Sequence, residues 1–169
     1  MSRVSAGSLL ATAYRHPLYM QHLVVNKFAS LARYRWAERH TDRDDRVPPP
    51  LGYKLVLTYK CNLRCLMCYE WGDVGWCHEL PRAAIAKELD WVVIERLFAE
   101  TGRRRPYFIL IGGEPLLYSR FGELAQLLRR TKSFAITCTN GMMLDRFDLS
   151  DNPYLTFLIS LDGDRKSVV

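Results

Sequence analysis

"YKCNLRCLMCYE", residues 59–70, places three of the chain's five cysteines within eight positions, three residues and then two residues apart. It directly follows KLVLT, residues 54–58, which has the length and β-branched content of a strand. The segment from Tyr59 to Leu80 has no clear hydrophobic period and is long for a connection inside a compact domain, a usual mark of a functional loop. Three thiolates suit a soft metal or an iron–sulfur cluster. A four-iron cluster normally takes four cysteines, so three leave one coordination position open. Cys77 and His78 lie next along the chain, and either would complete a zinc site of four cysteines or of three cysteines and a histidine.

Outward from this stretch, three more short runs read as strands: Tyr107–Ile111 (YFILI), Phe134–Cys138 (FAITC) and Leu155–Leu161 (LTFLISL). Between the first two strands, Pro81 opens a helical pattern with an apolar stripe of Ile85, Leu89, Val92, Val93 and Phe98. Phe121, Leu124, Ala125 and Leu128 mark a second helix, with Arg129, Arg130 and Lys132 near its end, where cations complement the helix dipole. Met142 to Pro153 leaves room only for a short helix. This alternation implies a parallel sheet with helical crossovers. Each strand runs into a polar or glycine-rich signature: the cysteine loop, GGEPLL (112–117), TNG (139–141) and SLDG (160–163). Ends of parallel strands share one rim, so these four segments are expected to meet there. Each glycine pair alone is an ordinary turn former; turn chemistry accounts poorly for all four together.

The totals narrow the class. The 169 residues, 49% hydrophobic and 25% charged, suit one globular domain with a core. No apolar run reaches membrane-span length. Leu9–Ala13 is followed by Arg15 and His16 rather than a cleavage site, so a cytoplasmic protein with reduced thiols is expected. The net charge of +6 is concentrated in residues 1–40, where six basic residues face Glu38 alone, so no nucleic-acid partner is expected. Leu23, Val24, Phe28, Leu31 and Tyr34 predict a basic amphipathic helix from about Pro17 to about Glu38. Packing is its favoured role, with peripheral membrane contact the other reading. TDRDDRVPPP (41–50) reads as a stiff linker, dividing the chain into residues 1–50 and a core of 51–169.

CNLRCLMC matches the C-x3-C-x2-C signature of the radical S-adenosylmethionine (radical SAM) enzymes, and GGEP, TNG and SLDG resemble that superfamily's later motifs in their usual order. The pattern is most similar to the branch with SPASM-type, peptide-modifying members. The resemblance implies an α/β fold, a partial parallel (βα) barrel of which about four strands are present after an N-terminal helix. The family's barrel has six such units, so the sequence reads as a fragment, a truncated product or a degenerate copy. It also implies that Cys61, Cys65 and Cys68 ligate a [4Fe–4S] cluster whose fourth iron takes SAM. Gly112, Gly113 and Glu114 would meet the SAM amino group, and Pro115 would set their turn. Ser160 and Asp162 lie where the family contacts the ribose, Asn140 is a further candidate on the rim, and Met67 stands where an aromatic residue often touches adenine. The implied chemistry is reductive cleavage of SAM to a 5′-deoxyadenosyl radical that abstracts hydrogen from a substrate, a peptide being one candidate. An electron donor such as a flavodoxin or ferredoxin would serve it. A structural zinc module or a plain electron-transfer iron–sulfur protein is the alternative, but neither requires GGEP on the next strand.

Overall fold

The computed structural model describes residues 17–40, 50, 52–101, 106–148 and 152–161. Residues 41–49 of the expected linker and the arginines at 103–105 lie outside the described residues. The chain divides into two compact units, Met1–Leu51 and Gly52–Val169, each described by itself.

In the first unit, α1 spans Pro17–His40. Proline suits its first position, where a missing N–H costs nothing. The expected amphipathic pattern is corrected. Val24, Phe28 and Leu31 share a row that Arg35 continues one turn on, while Val25 and Trp36 lie off it, so apolar residues are spread around the helix. No helix among the described residues is long and apolar enough to cross a membrane.

The second unit is a four-stranded parallel sheet in chain order: β1 (Gly52–Val56), β2 (Tyr107–Ile111), β3 (Ala135–Thr139) and β4 (Leu155–Ile159). Register runs Phe108 to Ala135 to Leu155 across the sheet. Side chains alternate between the faces. Leu55, Phe108, Leu110 and Ala135 are buried on the helix side. On the other face, Val56, Ile109, Ile111, Ile136 and Leu158 are partly or largely exposed, with Lys54 in the same row. β2 has the expected limits and the other strands differ from them by one or two residues; beyond β1, for example, Leu57 N–H still donates to Ile111 O at 2.9 Å.

The helix expected from Pro81 through Phe98 is two helices, α2 (Arg82–Ala86) and α3 (Trp91–Thr101). Lys87 turns extended, and the next two residues leave the helix to pair with the end of β1. Glu88 bridges Thr58 in antiparallel fashion, and Leu89 N–H donates to Leu57 O at 2.8 Å. Asp90 then restarts the helix as its cap, accepting from Val92 N–H at 2.9 Å. The helix expected around Phe121–Leu128 is α4, Phe121–Thr131. It buries Phe121, Leu124, Ala125, Leu127 and Leu128 against the sheet, each large side chain contributing about 1.5–3 kcal/mol. It ends at Lys132, in the left-handed region at φ 53°, where Ser133 N–H closes back on Leu128 O. Between β3 and β4 the described residues form one short 3-10 turn, Leu144–Arg146.

Candidate functional site

The site is built at the C-terminal ends of the strands, and its centre is the three-residue segment Thr58–Lys60. Every carbonyl there is engaged. Thr58 O accepts from Gly113 N–H at 2.9 Å, Lys60 O from Glu114 N–H at 2.7 Å, and Tyr59 O from Trp71 Nε1 at 2.8 Å. The turn after β2 therefore lies directly on the backbone that leads into Cys61. This closeness is why residues 112 and 113 are glycines. A Cβ on Gly112 would stand 2.1 Å from Thr58 O, and one on Gly113 2.4 Å from Lys60 O. Gly112 also sits at φ +139°, which side-chain-bearing residues rarely adopt.

Glu114 is 1% exposed. Its Oε1 accepts from Leu116 N–H (3.1 Å) and the Thr139 hydroxyl (2.6 Å), and its Oε2 accepts from Asn140 N–H (2.8 Å). The carboxylate thus caps the 3-10 turn Pro115–Leu117 and ties the end of β2 to the end of β3. A carboxylate has about four acceptor positions, so three donors leave room for one more. Glu114→Gln turns an amide N–H2 toward one of these three donors. The expected cost is about 1–3 kcal/mol, read as a lower urea midpoint at unchanged slope. An unchanged midpoint would remove this tie from the account of the site.

Cys61, Cys65 and Cys68 are free thiols, each half-buried. Leu63 N–H points at Cys61 Sγ (3.4 Å) and Trp71 N–H at Cys68 Sγ (3.3 Å). Burial pushes the Cys61 thiol up, against the Leu63 N–H, with the nearby Glu114 carboxylate and Cys68 sulfur adding to the rise. The rest of the loop is packed, not slack. The Tyr59 ring meets Trp76 edge-on at 5.1 Å, Arg64 lies 3.9 Å over Trp71, and Trp71 packs against His78 at 5.8 Å. His78 Nε2 is 3.0 Å from Gly72 O, and Cys77 is fully buried with its N–H on Glu70 O.

The donor set fits a cluster held by three thiolates. All three sulfurs come from one loop, two receive backbone N–H groups, and a cubane spreads its thiolates more widely than a single ion does. Among the described residues no three His, Cys, Asp or Glu side chains gather tightly enough to hold one ion, so neither Cys77 nor His78 completes a preassembled zinc site.

The remaining expected residues fall as follows. Asn140 reaches the cysteine loop: its Nδ2 donates to Asn62 Oδ1 at 2.8 Å, and its Oδ1 accepts from Met142 N–H. Pro115 is buried in its turn. Ser160 is exposed, with its N–H on Thr139 O at 2.9 Å. Met67 projects outward, 74% exposed, on the outer side of the loop. Asp162 lies outside the described residues. Sequence reading missed Asn62, Thr139 and Lys60 as the residues that join the loops. The available signal was their place: Asn62 and Thr139 lie inside the quoted motifs, and Lys60 directly precedes Cys61.

The sequence model of the Radical SAM superfamily matches residues 55–167. A probable GTP 3′,8-cyclase of Archaeoglobus fulgidus is 32% identical over 94 residues, 56% of this chain and 29% of that protein. The PqqA peptide cyclase of Xanthomonas campestris pv. campestris is 31% identical over 99 residues, 57% of this chain and 24% of that protein. The chain thus spans less than a third of the length of these relatives. Among solved structures, Streptococcus suis SuiB bound to S-adenosylmethionine aligns with a TM-score of 0.56 at 18% identity, over 92% of this chain and 37% of that one. SuiB bound to its precursor peptide SuiA aligns at 0.55 and 17% identity, over 79% and 28%. With the parallel half-barrel, the three-cysteine loop seated on the glycine turn, and a family match over most of its length, this chain belongs to the radical SAM superfamily.

Proposed function

We propose that the chain carries the SAM-cleaving part of an enzyme that modifies a peptide. Membership in the family implies a [4Fe–4S] cluster and SAM, and enzymes of this family need a reductant. In this reading Cys61, Cys65 and Cys68 hold three irons, and SAM takes the fourth. Gly112, Gly113 and the remaining acceptor position of Glu114 face the methionine ammonium, in the turn set by Pro115. Asn140, Ser160, Asp162 and Met67 border the nucleoside. When bound, the cluster and SAM supply reductive cleavage to methionine and a 5′-deoxyadenosyl radical able to abstract a substrate hydrogen. The protein's own work is to hold the thiolates, seat the ammonium and keep the loop packed. A flavodoxin or ferredoxin is the proposed electron source.

The observation that carries this reading is the backbone seam between Thr58–Lys60 and Gly113–Glu114, which sets the cysteine loop and the acidic turn side by side. The likeness to the PqqA peptide cyclase supports a peptide substrate. A nucleotide substrate is the second reading, favoured by the likeness to the GTP 3′,8-cyclase, 32% identical against 31% for the peptide cyclase.

Anaerobic reconstitution of the whole protein tests it. About four irons per chain are expected, with an EPR signal of the reduced cluster that SAM displaces. Dithionite with SAM should then release 5′-deoxyadenosine. Stoichiometric zinc with no iron uptake would sink the proposal. Faster SAM consumption with GTP than with any candidate precursor peptide would move the substrate to the second reading.

A further inference from the structure

The carboxylate of Glu88 stands where the two loops of the proposed site meet. Its Oε1 accepts from Lys60 Nζ at 2.8 Å, and Lys60 directly precedes Cys61. Its Oε2 accepts from the N–H and the hydroxyl of Ser119, just past the turn that Glu114 caps. The backbone reinforces both ends. Glu88 bridges Thr58, Leu89 N–H reaches Leu57 O, and the Tyr118 hydroxyl donates to Leu89 O at 2.9 Å. The Glu88 side chain is 17% exposed, against 40% for Lys60, so solvent screens this pair less than it screens Arg96–Glu100, at 79% and 61%. Burial opposes ionising Glu88, but the hydrogen bonds from Lys60 and Ser119 outweigh it, and its pKa lies below the ordinary carboxylate value. The tie therefore holds in full above that ordinary value and is lost as pH falls through the lowered one.

We propose that Glu88 is a positioning residue that keeps the first cluster cysteine in register with the SAM-facing turn, acting through Lys60 on one side and Ser119 on the other. The proposal rests on the reading of Cys61, Cys65 and Cys68 as cluster ligands. Glu88 comes from the break between α2 and α3, so this break in the helix has a purpose. It brings an acid to the foot of the cysteine loop that neither β1 nor β2 supplies.

The test uses the full chain with Glu88→Gln, Glu88→Asp, Lys60→Met and the double variant Lys60→Met/Glu88→Gln. In metal-free protein, hydrogen exchange at the Gly113, Glu114 and Leu89 amides should quicken about ten-fold in Glu88→Gln, with β3 and β4 amides unmoved. After reconstitution, Glu88→Gln should keep its iron. The SAM concentration that half-displaces the EPR signal should rise about ten-fold, the scale of one lost charge-assisted contact. Glu88→Asp should recover part of that loss, and the double variant should be no weaker than Glu88→Gln alone, since that single change already removes the tie to Lys60. Glu88→Gln with a lower melting temperature but a wild-type SAM titration would overturn positioning and leave a plain stabilising pair. Unchanged exchange at all three amides would overturn the tie itself. Wild-type protein that takes up no iron would overturn the cluster reading and positioning with it, and the exchange result would then stand alone.

Discussion

Replacing Gly112 by alanine should cost about 3 kcal/mol or more, enough to leave a marginally stable chain largely unfolded. Two penalties act together. The residue would be held at φ +139°, and its Cβ would press on the Thr58 carbonyl at 2.1 Å. Neither can relax locally. Thr58 is fixed by its bridge to Glu88, and its carbonyl already accepts the Gly113 N–H. Gly122 supplies the control. It lies in α4, where an added Cβ would meet only the Phe147 ring at 3.9 Å, and alanine there should be neutral or stabilising by up to about 1 kcal/mol. Urea unfolding of the metal-free variants separates the two. Equal midpoints for Gly112→Ala and Gly122→Ala would show that the seam is not where the fold is tightly held.

The second large effect falls on iron. Serine at any one of Cys61, Cys65 or Cys68 should reduce reconstituted iron from about four per chain to less than about one, because a cubane with two protein ligands is not retained. Cys138→Ser should leave iron unchanged. Cys77→Ser should lower stability, since it places a hydroxyl in a fully buried position, but should keep the iron. Iron and sulfide analysis of all five variants decides the matter. Metal loss in Cys77→Ser comparable to that in Cys65→Ser would make Cys77 a ligand and revive the four-cysteine alternative.

Much of the fold was legible because its signals are local. Strands β2 and β4 announce themselves as β-branched or aromatic runs, and α4 by its buried stripe with basic residues at the end. The break between α2 and α3 was not legible. Ile85, Leu89, Val92 and Phe98 keep roughly helical spacing across it, and the force that opens it is a pairing with Leu57 and Thr58, about thirty residues back along the chain. Asp90 just ahead of WVVIE was the one local hint. For α1, the spacing of Leu23, Val24, Phe28, Leu31 and Tyr34 suggested one apolar face, but Val25 and Trp36 fall outside it. At the site, the crowding of the cysteines and the place of the glycine turn after β2 could be read along the chain, and the roles expected of them came from the family resemblance. The bond from Asn140 to Asn62, and Glu88's grip on Lys60 and Ser119, join residues with no fixed sequence separation, so only coordinates reveal them. The sequence suggested that Gly112 and Gly113 admit a ligand; in the structure they first of all admit the backbone of Thr58–Lys60.

The sheet order has a consequence for how the chain acquires its structure during synthesis. Because β1, β2, β3 and β4 lie side by side in chain order, each strand's partner is the next one to leave the ribosome. The waits are unequal. Ala135 needs only Leu155 to begin the third pairing, whereas Gly52 has no partner until Tyr107 has emerged. The β1–β2 closure spans the whole cysteine loop, α2 and α3, and its entropic cost grows only slowly with that length. Its delay is kinetic: the three free thiols of the loop wait longer for a folded environment than the β2–β3 or β3–β4 pairings do. The nascent chain is therefore most vulnerable to oxidation in the interval between Cys61 and Ile111, and the seam that seats the loop also ends that exposure.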